Sequence, residues 1–198
     1  MGRSFASFHI YDKINSINPI ELEKIYLDKF HDVERETQRR VQAIQRAGLA
    51  VKPFSENALQ MLKKQLISER NAVQFQRQKD FSSIFDRSLG FETIAEEARI
   101  WSMTDSHLIL YTAMYDDDIF VAGLYQDGKA IAAHVVGDDA LEAYGFQKCC
   151  FQADDLREKL DLKDQKRIEQ FCKQTHARKS AGMLEALLGI RLDAERTM

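Results

Sequence analysis

Proline, glycine and cysteine are all scarce in this chain of 198 residues. Two prolines and nine glycines give little support to a pair of domains joined by a hinge, because flexible joints are usually rich in both residues. Three cysteines, of which Cys149 and Cys150 are adjacent, make a poor disulfide framework, since an odd count leaves one thiol unpaired. We therefore expect a single domain over residues 1–198 in a reducing, cytoplasmic environment.

Long apolar segments are absent as well. No run approaches the roughly 20 apolar residues that a membrane-spanning helix needs, and the first residues lack the apolar stretch of a secretory signal. Gly2 would accept a myristoyl group, but Ala6 stands where that signal needs Ser or Thr. The sequence predicts a soluble protein that does not bind membranes.

Local signatures of catalysis are also missing. The chain contains no G-x-S-x-G, H-E-x-x-H, G-x-G-x-x-G or G-x-x-x-x-G-K-[ST] motif. His134 lies inside the predicted sheet and His107 at its entrance. Either is a candidate general base, but the spacing places no partner beside it.

What the sequence does contain is three apolar segments between Leu108 and Val136, joined by two short acidic turns. Asp127-Gly128 between two such segments predicts a type I′ hairpin turn. Apolar residues occupy both alternating faces of these segments, so helices or another subunit must cover both faces of the sheet. We predict an α+β fold with an antiparallel β-meander at about 108–136. One or two extra strands are expected, at Phe5 to Tyr11 and Phe81 to Phe85.

Residues 19–79 have the pattern of two long helices. Asn18 followed by Pro19 is a strong signal for a helix start, and an apolar stripe recurs from there every three or four residues towards Gly48, where the first helix is expected to end. A second helix is expected to begin after Ser55 and to extend to about residue 79. We predict a long helical hairpin over about 19–79, as an insertion or subdomain. Further helices are predicted from Phe91 to Met103 and after a cap at Ser180, the last one ending at Gly189.

The formal net charge of −3 conceals an uneven distribution. Residues 81–155 carry four basic and fourteen acidic side chains, whereas the remaining segments are slightly basic. Such a field attracts a basic partner and disfavours nucleic acid. The predicted partner-binding residues lie in the turn and loop that flank the sheet, and they are Asp116, Asp117, Asp118, Asp138 and Asp139.

The same carboxylates are poor candidates for a metal site. Adjacent residues on a tight turn mostly point apart, and their spacing lacks the alternation of a calcium-binding loop. Cys172 and His176, four residues apart on a predicted helix, could join Cys149 and Cys150 around zinc, but zinc sites usually separate paired cysteines by two to four residues. We expect neither a metal nor a cofactor.

Three function hypotheses remain, each from a different class. The first is a non-enzymatic interaction module whose acidic region, 81–155, binds a basic protein. In charge and size alone it is similar to small acidic bacterial immunity proteins that block basic toxin domains, without a match at the level of residues. The second is a hydrolase or metal-dependent enzyme that uses the acidic turns with His107 or His134. The third is a structural homodimer formed through the stripe of the helical hairpin.

Overall fold

The computed structural model of the protein describes residues 4–46, 54–86, 88–91, 93–103, 107–137 and 140–194. The chain divides into two compact units, one made of residues 1–16 and 74–198 and the other of residues 17–73. The first contains an antiparallel sheet with helices and the second is helical, so the predicted α+β class is confirmed. No helix within the described ranges is both long and apolar enough to span a bilayer.

The helical unit contains α1 (Pro19–Phe30), α2 (Val33–Arg46) and α3 (Glu56–Asn71). Both predicted caps are confirmed. The Asn18 side chain accepts a hydrogen bond from the Ile20 amide at 3.0 Å, and the Ser55 hydroxyl accepts one from the Ala58 amide at 3.2 Å. Each cap satisfies an amide that has no partner inside its helix.

The prediction of one continuous helix from Pro19 towards Gly48 is wrong, because His31 and Asp32 are not helical and separate α1 from α2. The Asp32 carboxylate accepts a hydrogen bond from the Arg35 amide at 3.0 Å, so it caps a new helix, which aspartate favours. Helices α1 and α2 form a helical hairpin, and α2 also contacts α3. The expected helix end at Gly48 lies outside the described residues.

The sheet has six antiparallel strands in the order β2-β3-β1-β4-β5-β6. They are β1 (Phe5–Tyr11), β2 (Gln74–Gln78), β3 (Phe81–Phe85), β4 (Leu108–Tyr115), β5 (Ile119–Gln126) and β6 (Lys129–Gly137). The predicted meander corresponds to β4, β5 and β6, and the predicted extra strands to β1 and β3. All of these predictions are confirmed.

Strand β2 corrects the sequence interpretation, which assigned residues 74–78 to the end of the second helix. Helix α3 ends at Asn71, and the whole of β2 pairs with β3, with Phe75 opposite Ile84. A five-residue segment fits a strand or a helix about equally well from its pattern, so the pairing partner decides its structure. The sheet therefore has three strands besides the meander, instead of one or two.

Helices cover both faces of the sheet, as the apolar pattern predicts. Helix α4 (Ile94–Ser102) contacts β4 and β5, while α6 (Ala153–Lys159), α7 (Gln165–Cys172) and α8 (Ala177–Leu188) share a buried cluster with the other face. Leu124, at the centre of that cluster, has no exposed surface. Gly189 ends α8 in the left-handed region at φ +70°, as predicted. Ser180 does not cap this helix, because α8 begins three residues earlier.

Candidate functional site

The turn that joins β4 to β5 presents the three consecutive aspartates of the sequence. Asp116 and Asp117 have φ values of +49° and +64°, and the Asp118 amide donates to the Tyr115 carbonyl at 2.9 Å. Two central residues in the left-handed backbone conformation, enclosed by such a hydrogen bond, define a type I′ turn, and aspartate tolerates this conformation. Asp127 and Gly128 have positive φ values in the next turn, and this confirms the predicted hairpin there.

The three aspartates differ in their surroundings. Asp116 and Asp118 are exposed, whereas the Asp117 side chain is only 12% exposed and its Oδ2 lies 2.5 Å from Nη2 of Arg178 on α8. The Asp116 amide donates a hydrogen bond to the Ser4 hydroxyl at 3.0 Å, and this bond also holds the turn. Asp117 therefore fixes the turn against α8, and the two outer carboxylates face solvent.

Asp138 and Asp139, the other two predicted partner-binding residues, lie outside the described residues. They follow Gly137, the last residue of β6, which lies so close to the turn that an added Cβ would be 2.5 Å from the Asp118 carbonyl oxygen. The partner-binding role of all five aspartates stays a prediction.

Four aromatic rings lie in a row beside this turn. The Tyr115 ring contacts Tyr144 at 5.0 Å between centroids and Phe91 at 5.6 Å, and Phe91 contacts Phe146 at 5.1 Å. Tyr144 is 50% exposed and Tyr115 is 37% exposed. We name the four rings, together with Asp116 and Asp118, the aromatic–acidic patch.

A short segment after β6 brings two of these rings to the turn. Helix α5 (Ala140–Ala143) is anchored by Leu141, which is buried. The chain then reverses at Gly145, whose φ of +73° is adopted most easily by a residue without a Cβ. The Phe146 amide donates back to the Leu141 carbonyl at 2.9 Å, so this reversal places Tyr144 and Phe146 on either side of it.

The charges and rings of the patch interact with one another. A hydrogen bond with Tyr115 raises the pKa of Tyr144, and the carboxylates of Asp116 and Asp118 raise it further. Both effects favour the neutral phenol, which can donate or accept a hydrogen bond. The patch thus combines exposed aromatic surface, a phenol and two carboxylates, which are suitable contacts for a Lys or Arg side chain.

Sequence reasoning missed the four rings. Tyr115 directly precedes the aspartates and was assigned only to a strand end, while Phe91, Tyr144 and Phe146 come from distant segments. The one local signal is Gly145, a turn-forming residue with an aromatic residue on each side. Their convergence on the Asp116 turn depends on the sheet topology, which the sequence alone does not specify.

His134, one candidate base of the enzyme hypothesis, is packed inside the core. It has no exposed surface, and its ring stacks 5.5 Å from Phe151 and lies 4.6 Å from Phe171. The Phe151 amide donates to its Nδ1 at 3.4 Å, while Nε2 has no hydrogen-bond partner within the described part of the chain. Burial lowers the pKa of His134 to about 4. A substrate in solvent cannot reach this ring.

His107, the other candidate base, lies beside a serine and an aspartate, but in the wrong order for nucleophilic catalysis. The Ser16 hydroxyl donates to Oδ1 of Asp12 at 2.9 Å and lies 3.4 Å from Nε2 of His107. In a catalytic triad the histidine stands between the serine and the carboxylate. Asp12 is buried and also binds Arg77 at 2.8 Å, so this cluster holds the loop after β1 in place.

A second serine–histidine group lies in the middle of the sheet. His9 Nε2 is 2.9 Å from the Ser7 hydroxyl, and Nδ1 is 2.9 Å from that of Ser83. All three side chains are buried, and burial lowers the pKa of His9 to about 3. The group is a satisfied polar network of the core.

The thiol and imidazole groups do not form the zinc arrangement considered above. Cys172 is the last residue of α7 and His176 precedes α8, so the two do not share a helix face. Among the described residues, no group of three or more His, Cys, Asp or Glu side chains is arranged to hold a metal ion. The absence of a bound metal or cofactor stays a prediction.

No protein-family model, curated protein or solved structure matches the chain.

Proposed function

We propose that the protein is a non-enzymatic interaction module that binds a basic protein partner through the aromatic–acidic patch. The observation that carries the proposal is the row of four rings, in which Tyr115 and Tyr144 are exposed, beside the exposed carboxylates of Asp116 and Asp118. Tyrosine supplies much of the binding energy at protein interfaces, and carboxylates beside aromatic faces attract Lys and Arg. The acidic excess of residues 81–155 supports the same sign of partner.

The five aspartates have different roles in this proposal. Asp116 and Asp118 bind cations of the partner, while Asp117 holds the turn through Arg178 and contributes mainly to the shape of the patch. Asp138 and Asp139 add to the negative field that speeds association. Exposed charges act over roughly 8 Å at physiological ionic strength, so binding should weaken as salt rises.

The test is a pull-down at low and high salt from the source cell, followed by measurement of binding with the purified partner. The double variant Asp116→Asn with Asp118→Asn removes two charges and leaves a residue that tolerates the left-handed turn. We expect it to raise the Kd of the purified partner by at least about tenfold, mainly through slower association. Tyr144→Ser should weaken binding through faster dissociation.

A matched control is the double variant Asp127→Asn with Glu158→Gln, which changes the net charge equally at exposed positions outside the patch. It should retain the affinity of the unmodified protein. If both double variants weakened binding equally, the net charge of the protein alone would account for the loss, and the proposed surface would be contradicted. A partner that binds the patch variant unchanged would contradict it too. Sedimentation of the free protein separates both results from the homodimer hypothesis.

A further inference from the structure

A cleft of about 390 Å³ lies at the end of the sheet where β1 finishes and the β2–β3 turn begins. Four chain segments line it: the end of β1 with Tyr11 and Lys13, the turn at Lys79 and Asp80, residues 160–164, and Leu187 of α8. All of them belong to the sheet-containing unit. The volume is at the lower end of the range of small-molecule sites.

Three lysines from three of these segments converge on the cleft, and we name it the lysine cleft. Lys13 forms an ion pair with Asp161, which raises the pKa of Lys13 and lowers that of Asp161. Lys79 and Lys163 have no ion pair with a carboxylate in the part of the chain that the structure describes. Lys163 also helps to lower the pKa of Asp161, but neither ammonium group is bound to a carboxylate there.

Two further aspartates line the cleft and oppose an anion. Asp164 is already engaged, because its carboxylate caps α7 through the Arg167 amide at 3.1 Å and pairs with the Arg167 side chain at 3.2 Å. Asp80 is partly buried in the β2–β3 turn, and its charge raises the pKa of Lys13 and that of Tyr11. The lining thus holds three lysines and three aspartates whose charges balance, and Arg167, which pairs with Asp164 at the edge of the cleft, adds one positive charge beside it.

The cleft also has apolar walls. Leu160 is buried, while Leu162 and Leu187 are half-buried and line the space. The Tyr11 hydroxyl donates to the Leu160 carbonyl at 3.4 Å, which leaves its oxygen able to accept a hydrogen bond. Charged groups at the mouth and apolar groups in the walls suit a ligand that has one anionic end and one apolar portion.

The Lys79 side chain is exposed but lies against the end of α8. An added Cβ at Gly189 would lie 3.2 Å from Cδ of Lys79, so the aliphatic part of the lysine packs over the end of α8. The negative end of the helix dipole favours a cation at this point.

We propose that the lysine cleft binds a small organic oxyanion, either a phosphate or a carboxylate with an apolar portion. Lys79 and Lys163 hold the anionic group, as lysines commonly do for phosphate. The apolar portion lies against Leu160, Leu162 and Leu187. This site is independent of the aromatic–acidic patch.

The test uses the full chain and four probes: phenyl phosphate, benzoate, inorganic phosphate and phenol. Phenyl phosphate should shift the NMR signals of the amides of residues 79–80 and 161–164 saturably, and inorganic phosphate should shift the same amides with a higher Kd. Benzoate compares a carboxylate with a phosphate on the same ring. Phenol, which has the ring without the anion, should not saturate the site.

Lys79→Gln and Lys163→Gln should each raise the Kd for phenyl phosphate about tenfold, since each removes a charge-assisted hydrogen bond. Lys166→Gln is the matched control, because Lys166 is exposed on α7 and does not line the cleft. Lys163→Arg should retain binding. No saturable shift with phenyl phosphate or benzoate, or an equal loss with Lys166→Gln, would overturn the proposal.

Discussion

The two ends of the six-stranded sheet carry opposite chemistry. β1 begins beside the Asp116 turn, where Ser4 binds the turn amide, and it ends at Tyr11 in the lysine cleft. Seven strand residues separate the two sites by roughly 20 Å. Helix α8 runs along the same direction, with Arg178 bound to Asp117 at its start and Lys79 packed over its end at Gly189.

The helix dipole agrees with the position of Lys79. The start of a helix is electropositive and its end electronegative, so an acid is stabilised near the first turn of α8 and a lysine near the last turn. Lys79 lies over the last turn of α8, whereas Asp117 is joined to the first turn through the Arg178 side chain. The charge segregation that is visible in the sequence thus has a structural counterpart within one helix.

The two ends also differ in shape. The acidic end presents exposed rings, with Tyr144 half exposed, whereas the lysine end encloses a cleft of about 390 Å³. Exposed aromatic surface suits a macromolecular partner, and a concave site suits a small molecule. One sheet can therefore hold the two proposed sites independently, provided that its centre is rigid.

The largest expected effect comes from a charge placed at that centre. Leu124 has no exposed surface and pairs with Leu110 of β4. Leu124→Asp should unfold the sheet-containing unit, because an unpaired buried carboxylate costs several kcal/mol against a total stability of roughly 5–15 kcal/mol. Circular dichroism during thermal melting measures the loss.

The control for this substitution is Ala133→Asp, which places the same carboxylate on an exposed position of the neighbouring strand β6. It should change the stability by less than about 1 kcal/mol. If Leu124→Asp melted like Ala133→Asp, the centre of the sheet would not be the rigid link between the two ends.

The pH dependence of stability gives the next largest effect. Burial lowers the pKa of His9 to about 3 and that of His134 to about 4, whereas both titrate near 6.5 in the unfolded chain. Below pH 6.5 the unfolded state binds protons that the folded state does not, so the unfolding free energy falls as pH falls. The slope approaches roughly 1.4 kcal/mol per pH unit for each histidine.

Urea unfolding at pH 7, 6 and 5 tests this sign and its source. His134→Leu should remove about half of the slope, because it leaves His9 as the buried histidine of the sheet that still titrates. The variant should stay folded at pH 7, since the ring sits among Phe120, Phe151 and Phe171 and loses one long hydrogen bond at most. An unchanged slope would mean that His134 reaches solvent.

Local signals predicted most of this fold. Asn18, Ser55 and Asp127-Gly128 specify caps and a turn through contacts within a few residues, and the structure has each of them. The sequence does not predict β2, because pairing with β3 decides the structure of so short a segment. It does not predict the interruption of the helix at Asp32, because the apolar stripe continues in register across that residue. The aromatic rings and the lysine cleft depend on residues from three or more distant segments, which only the tertiary fold brings together.

The smallest expected effect compares two glycines of one helix. Gly189 ends α8 at φ +70°, whereas Gly182 lies inside the helix and has nothing within 4 Å of an added Cβ. Gly189→Ala should destabilise the protein by about 1 kcal/mol, because an L-residue is strained in the left-handed region. Gly182→Ala should stabilise it by up to about 1 kcal/mol through its higher helix propensity.

The same pair of variants separates the two ends of the sheet. The new methyl group of Gly189→Ala would lie against Lys79 Cδ and move that side chain, so we expect weaker binding of phenyl phosphate and unchanged binding at the aromatic–acidic patch. Gly182→Ala, which touches neither site, should leave both affinities unchanged. Urea unfolding gives the two stability changes, and titration followed by NMR gives the affinities. Equal effects of the two variants on phenyl phosphate binding would show that the end of α8 does not position Lys79. The helix dipole would then not account for the position of this lysine.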